Sequence, residues 1–85
     1  MPAANDGQLR QWMTQIDGQQ LRRLRRQVGL SQVELATRAG ISMATVARLE
    51  RKVRATCRGR TMARLAAALG ESRDALTGMP TGSAD

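Results

Sequence analysis

The sequence predicts an all-α domain of five helices with an extra amphipathic helix in front of them. Three observations predict it. Ala, Leu, Val, Ile and Met supply nearly all the apolar mass, while Trp12 is the one aromatic and Phe and Tyr are absent, a mixture that favours helix over sheet. Apolar residues recur at spacings of three and four over most of the chain. Glycines close these apolar stretches, and Asp or Ser opens most of them, as helix stops and starts require. The chain has 85 residues and makes one domain. Folded chains of this size bury only about 60–65% of their unfolded surface, so the core is thin and a second copy would support it.

Taken in order, Leu9, Trp12, Met13 and Ile16 form a narrow apolar stripe at i, i+3, i+4 and i+7, which predicts the extra helix, capped by Asp6. Leu21, Leu24 and Val28 give the next helix its buried line, with Asp17 as N-cap, Gln20 three residues later and Gly29 as the stop. Ser31-Gln32-Val33-Glu34 is a capping box opening a helix whose Leu35, Ala36 and Ala39 face inward, and Gly40 ends it. Ser42 caps a fourth helix that buries Val46 and Leu49 and stops near Arg51. Residues 52–59 show no clear period and read as an irregular, basic connection. Met62, Leu65, Ala66 and Leu69 make residues 61–69 helical again, with Gly70 just past the end. A last short helix capped by Ser72 buries Leu76 before Gly78 and Pro80. The chain thus divides into a tail and amphipathic helix over 1–17, a helical domain over 18–78, and a disordered tail over 79–85.

The absences remove most chemistry. With no His, one Cys (Cys57) and one Lys (Lys52), the chain assembles neither a His-assisted nucleophile, nor a Cys/His metal site, nor a disulfide within itself. No phosphate-cradling glycine loop is present, and the carboxylates are scattered. No enzyme activity, metal or cofactor is expected. Neither a signal peptide nor an apolar run long enough for a membrane span is found, so the expected location is the cytoplasm. Charge is more telling than its total of +7, because twelve of the fourteen basic residues lie between Gly18 and Arg64 against only Glu34 and Glu50. Concentration of that kind points to a polyanion, nucleic acid before membrane.

Residues 32–51 sharpen this. Two short helices meeting steeply across a tight turn need a small residue at the crossing, a turn residue tolerant of positive φ, and apolar locks to the core. Ala36 is the small residue, Gly40 the turn, and Leu35, Ala39, Ile41, Val46 and Leu49 are the locks. The wider stretch resembles the Cro/cI-type (Xre) helix-turn-helix family of phage repressors and small bacterial regulators. Leu24-Arg25, Gly29-Leu30-Ser31-Gln32, Leu35-Ala36, Gly40-Ile41-Ser42, Val46, Leu49-Glu50 and residues 65–70 carry the likeness. Two departures stand out: Lys52 occupies a place where the family usually has Gly, and the following loop is slightly longer.

That resemblance implies a recognition helix over residues 42–51 that enters the major groove of double-stranded DNA. Periodicity independently turns Ala44, Ala47, Arg48 and Arg51 outward, with Met43 and Thr45 beside them. Arg48 suits a guanine edge, Met43 and Ala44 suit a thymine methyl, and Thr45 suits a base or a phosphate; Met43 has core packing as its alternative. Gln32 is implied as a phosphate contact. Ser42, Arg38, Arg51, Lys52, Arg54, Arg58 and Arg60 are further candidates for the DNA backbone. Arg22, Arg23 and Arg26 read as a solvated face. Arg25 and Glu50 interrupt apolar lines, and in similar proteins these positions form a structural ion pair. The function implied is a sequence-specific transcriptional regulator, a homodimeric repressor, with Leu9, Trp12, Met13 and Ile16 as the dimerisation stripe. Two alternatives are an antitoxin that also covers a toxin protein, and a protein-interaction module that has lost DNA binding.

Overall fold

The computed structural model describes residues 13–77. Its elements run β1 (Met13–Ile16), α1 (Gly18–Val28), α2 (Gln32–Ala39), α3 (Met43–Glu50), β2 (Ala55–Arg58), α4 (Gly59–Leu69) and a 3₁₀ helix (Arg73–Leu76). Among the described residues, four α-helices, a 3₁₀ helix and a two-stranded sheet therefore stand where an all-α architecture was expected.

Each early helix starts and stops where its sequence directs. The Asp17 carboxylate accepts from the backbone N–H groups of Gln19 and Gln20 at the head of α1. Ser31 and Glu34 close a reciprocal capping box on α2. At the other ends, α1, α2 and α4 finish in the same Schellman geometry, in which the residue after the glycine donates back across the last turn: Leu30 to Arg25, Ile41 to Ala36 and Glu71 to Ala66. α4 begins at Gly59, earlier than the expected Thr61, and the last helix is a 3₁₀ turn whose Ser72 makes no side-chain cap bond.

The extra helix is the main correction. Met13–Ile16 is a strand that pairs antiparallel with Ala55–Arg58, in the register Met13↔Arg58, Thr14↔Cys57, Gln15↔Thr56 and Ile16↔Ala55. The stretch expected to be an irregular connection thus holds a strand too. The physical reason lies in a period of two: Ala55 and Cys57 are buried while Thr56 and Arg58 are exposed. Opposite them, Ile16 goes inward at 1% exposure and Met13 stays out at 40%. Met13 and Ile16 therefore do not share one face, and Ile16 is used up inside its own core instead of lining a dimer interface. Met13–Ile16, assigned to the segment before residue 18, is joined by this pairing to Ala55–Arg58 of the helical domain. Leu9, Trp12 and the tail over 79–85 lie outside the described residues.

The core gathers Leu21 and Leu24 of α1, Leu35, Ala36 and Ala39 of α2, Val46 and Leu49 of α3, and Met62, Leu65, Ala66 and Leu69 of α4, closed by Ile16 and Leu76. Val28, expected on the buried line of α1, is 46% exposed, and Leu30 beyond the helix end is buried in its place. Asp17 N–H donates to the Leu76 carbonyl at 2.8 Å, and Gly18 N–H to Val53 at 3.3 Å, so one short segment ties both ends of the fold together.

Candidate nucleic-acid interface

Helices α2 and α3 pack on each other and form the helix-turn-helix. Ala36, 3% exposed, is the small residue at their crossing. Gly40 turns between them at φ 71°, a left-handed conformation that L side chains rarely adopt. Arg64 of α4 supports this turn by donating Nη1 to the Gly40 carbonyl at 3.3 Å. Nothing local in the sequence marks Arg64 for that task, because the contact joins residues 24 positions apart in the chain.

Helix α3 is presented by its buried side. Val46 and Leu49 are fully buried, so the opposite side, with Ala44, Arg48 and Arg51, faces solvent. Met43 is 47% exposed and belongs to this outer surface, not to the core. Ser42 caps the helix through Thr45 N–H at 3.1 Å, and its hydroxyl lies 2.8 Å from the Thr45 hydroxyl. Thr45 is half-buried, and the two hydroxyls share a hydrogen bond that a base or phosphate would have to replace. Arg48 donates Nη1 to the Thr56 carbonyl of β2 at 3.4 Å, a long and exposed bond that leaves the guanidinium free to swing.

A buried polar network fixes the far end of α3. Arg25 Nε donates to Glu50 Oε2 at 2.6 Å and Nη2 to Oε1 at 2.9 Å, a bidentate pair, while Nη1 donates to the Leu30 carbonyl at 2.7 Å. Gln32 Nε2 completes it, reaching Glu50 Oε1 at 3.1 Å. The Glu50 hydrogen bonds hold the Arg25 guanidinium above its ordinary pKa. Gln32 is thereby oriented by Glu50, and its second amide hydrogen remains available. Gly18 makes a further contact that sequence reasoning missed: a Cβ there would fall 2.0 Å from the Leu49 carbonyl oxygen and 2.1 Å from that of Lys52. Its signal was a glycine in the first turn of a helix, where a better helix former costs less.

Arg38, Arg51, Lys52, Arg54, Arg58 and Arg60 are all exposed. They are spread over α2, the end of α3, the loop after it, β2 and the start of α4. Cys57 is buried, and burial pushes its thiol up, away from the reactive thiolate.

With this geometry in place, the likenesses to known proteins become informative. The helix-turn-helix family profile matches residues 21–76. The crystal structure of the restriction-modification controller protein C.AhdI from Aeromonas hydrophila aligns with a TM-score of 0.63 at 36% identity, covering 68% of this chain and 86% of that one. A chain of the SinR protein/SinI protein complex aligns with a TM-score of 0.70 at 24% identity, covering 82% of this chain and 68% of that one, a likeness of fold alone. No curated protein sequence matches the chain.

Proposed function

Because this chain belongs to the Cro/cI-type (Xre) helix-turn-helix family, we propose that it is a sequence-specific, double-stranded DNA-binding transcription regulator acting as a homodimeric repressor. The observation that carries the reading is the outer side of α3. A helix with Val46 and Leu49 fully buried and its end held by the Arg25–Glu50 pair cannot roll, so Ala44, Arg48 and Arg51 are offered to a ligand in one orientation. An α-helix is about 10–12 Å across with its side chains, and the major groove is about 12 Å wide.

In this reading the N-terminal part of α3 enters the groove. Arg48 releases Thr56 and forks onto guanine O6 and N7, while Met43 and Ala44 pack against a thymine methyl and Thr45 reaches a base edge. Gln32, pre-oriented by Glu50, donates its free amide hydrogen to a phosphate, and Ser42 contacts the backbone at the helix start. Arg38, Arg51, Lys52, Arg54, Arg58 and Arg60 hold the flanking phosphates and carry most of the salt dependence. C.AhdI, as a restriction-modification controller, supports the regulatory class.

Dimerisation remains part of the proposal because a thin core and a short recognition surface both gain from a second copy. Selection of bound duplexes from random DNA tests the whole reading. It should return a two-fold symmetric site with half-site centres about 10 base pairs apart, or a multiple of that. Recovery of no enriched sequence would remove specific DNA recognition from this protein.

A further inference from the structure

Helix α1 carries Arg22, Arg23, Arg25 and Arg26 and no carboxylate. Arg25 is neutralised by Glu50, and among the described residues Arg22, Arg23 and Arg26 have no carboxylate within ion-pair distance. Arg22 and Arg26 stand four apart on one face, where like charges destabilise a helix. Arg26 stands in the last turn of α1, where a cation complements the helix dipole, but Arg22 and Arg23 lie outside that turn and have no such compensation. A polyanion laid across the three relieves their repulsion.

The placement of the patch says which polyanion. Arg22 lies four residues from Gly18 and three from Arg25, both of which touch the end of α3. It lines, with Gln19, a cleft whose other wall is Gln32, Ala47 and Arg51. The same Gln19 and Arg22 also border a shallow depression on the outer side of α1, continued by Arg23 and Arg26. One cationic track therefore runs from the recognition helix over Arg22 and onto the outside of α1. We propose that this track carries the DNA backbone beyond the groove occupied by α3, so that the protein grips flanking duplex through Arg22, Arg23 and Arg26. The proposal rests on the DNA-binding reading and adds a second contact surface to it, favoured over an acidic protein because the track is continuous with α3.

The test uses the full chain and its Arg23→Gln/Arg26→Gln variant. Both positions are exposed, and glutamine and arginine have similar helix propensity. Binding is measured on a selected site cut at its ends and on the same site with about 10 base pairs added on each side. The wild-type chain should prefer the longer duplex, and the variant should match it on the short one while losing the preference. Two lost phosphate contacts lower the salt slope on the long duplex by about 1.8, so the gap between the two proteins should change about twelvefold between about 50 mM and about 200 mM salt. Arg23→Lys/Arg26→Lys, which keeps the charge, should retain the preference.

Equal weakening on both duplexes would reduce the patch to a general charge effect and overturn the proposal. No change on either duplex would overturn it too, leaving the patch to an acidic protein, as would a wild-type chain indifferent to duplex length. In each of these the DNA-binding reading survives. A wild-type chain that binds neither duplex removes both.

Discussion

Replacing Arg25 by Met keeps the aliphatic volume of the side chain and removes its charge. Three hydrogen bonds go with it, two to Glu50 and one to the Leu30 carbonyl. The side chains of Arg25 and Glu50 are only 10% and 4% exposed, so the orphaned Glu50 carboxylate keeps Gln32 as its one donor and gains little from water. Breaking such a pair costs about 3–5 kcal/mol, out of about 5–15 kcal/mol that holds a whole domain. For a domain of this size that lowers the melting midpoint by about 12–40 °C. Arg25→Met/Glu50→Leu removes both charges, and the remaining losses are the hydrogen bonds of the buried Leu30 carbonyl and the part-buried Gln32 amide, about 1 kcal/mol each. Urea unfolding of the four proteins, followed by circular dichroism, gives the coupling energy directly. Because the Glu50 carboxylate raises the Arg25 pKa, the pair's contribution is present below arginine's ordinary value and is lost only above it. The coupling should therefore be the same at neutral and moderately alkaline pH. Single changes that each cost under about 1 kcal/mol and simply add would mean that the pair is exposed and uncoupled.

Three further outcomes follow from named contacts. Gly18→Ala pushes a methyl into the backbone carbonyls of Leu49 and Lys52, so unfolding midpoints should fall by the equivalent of about 1–3 kcal/mol or more, and DNA affinity should fall with the displaced end of α3. Ile16→Ala should cost about 2–5 kcal/mol and Met13→Ala about 0.5 kcal/mol or less; equal losses in urea titrations would return these residues to one helical stripe. Glu34 is held below the ordinary carboxylate range by the Ser31 backbone N–H first and the Ser31 hydroxyl second. Its charge stabilises the capping box above that range and ceases to as pH falls through the lowered value, so the stability difference between wild type and Glu34→Gln should shrink as the medium is acidified.

Much of this fold was legible because its helices are locally encoded. Asp17, Ser31 and Ser42 cap, Gly29, Gly40 and Gly70 stop, and the buried faces of α2, α3 and α4 follow from apolar spacing alone. The sheet was illegible for a physical reason. Each strand is four residues long, too short for its period of two to stand out, and its partner lies some forty residues away in sequence. Met13 and Ile16 fit a helical stripe as well as they fit a strand; only the pairing with Ala55–Arg58 decides. The site divides in the same way. Which residues of α3 turn outward could be read from Val46 and Leu49, whereas the support from Arg64, Gly18 and the β2 carbonyl of Thr56 joins separate elements of the fold and leaves no mark in the periodicity of any one of them.

Whether α3 reads bases while the residues beyond it hold phosphates is tested by one comparison. Arg48→Ala and Arg54→Ala are measured beside the wild type on a selected duplex and a scrambled one across a salt series. Arg48→Ala should cost about 1–3 kcal/mol on the selected duplex and relax the preference at one base pair per half-site, leaving scrambled DNA bound as before. Arg54→Ala should weaken both duplexes alike and reduce the salt slope by about 0.9. If Arg48→Ala instead weakens selected and scrambled duplexes equally, Arg48 is not reading bases, and α3 is not presented to the groove in the way its burial implies.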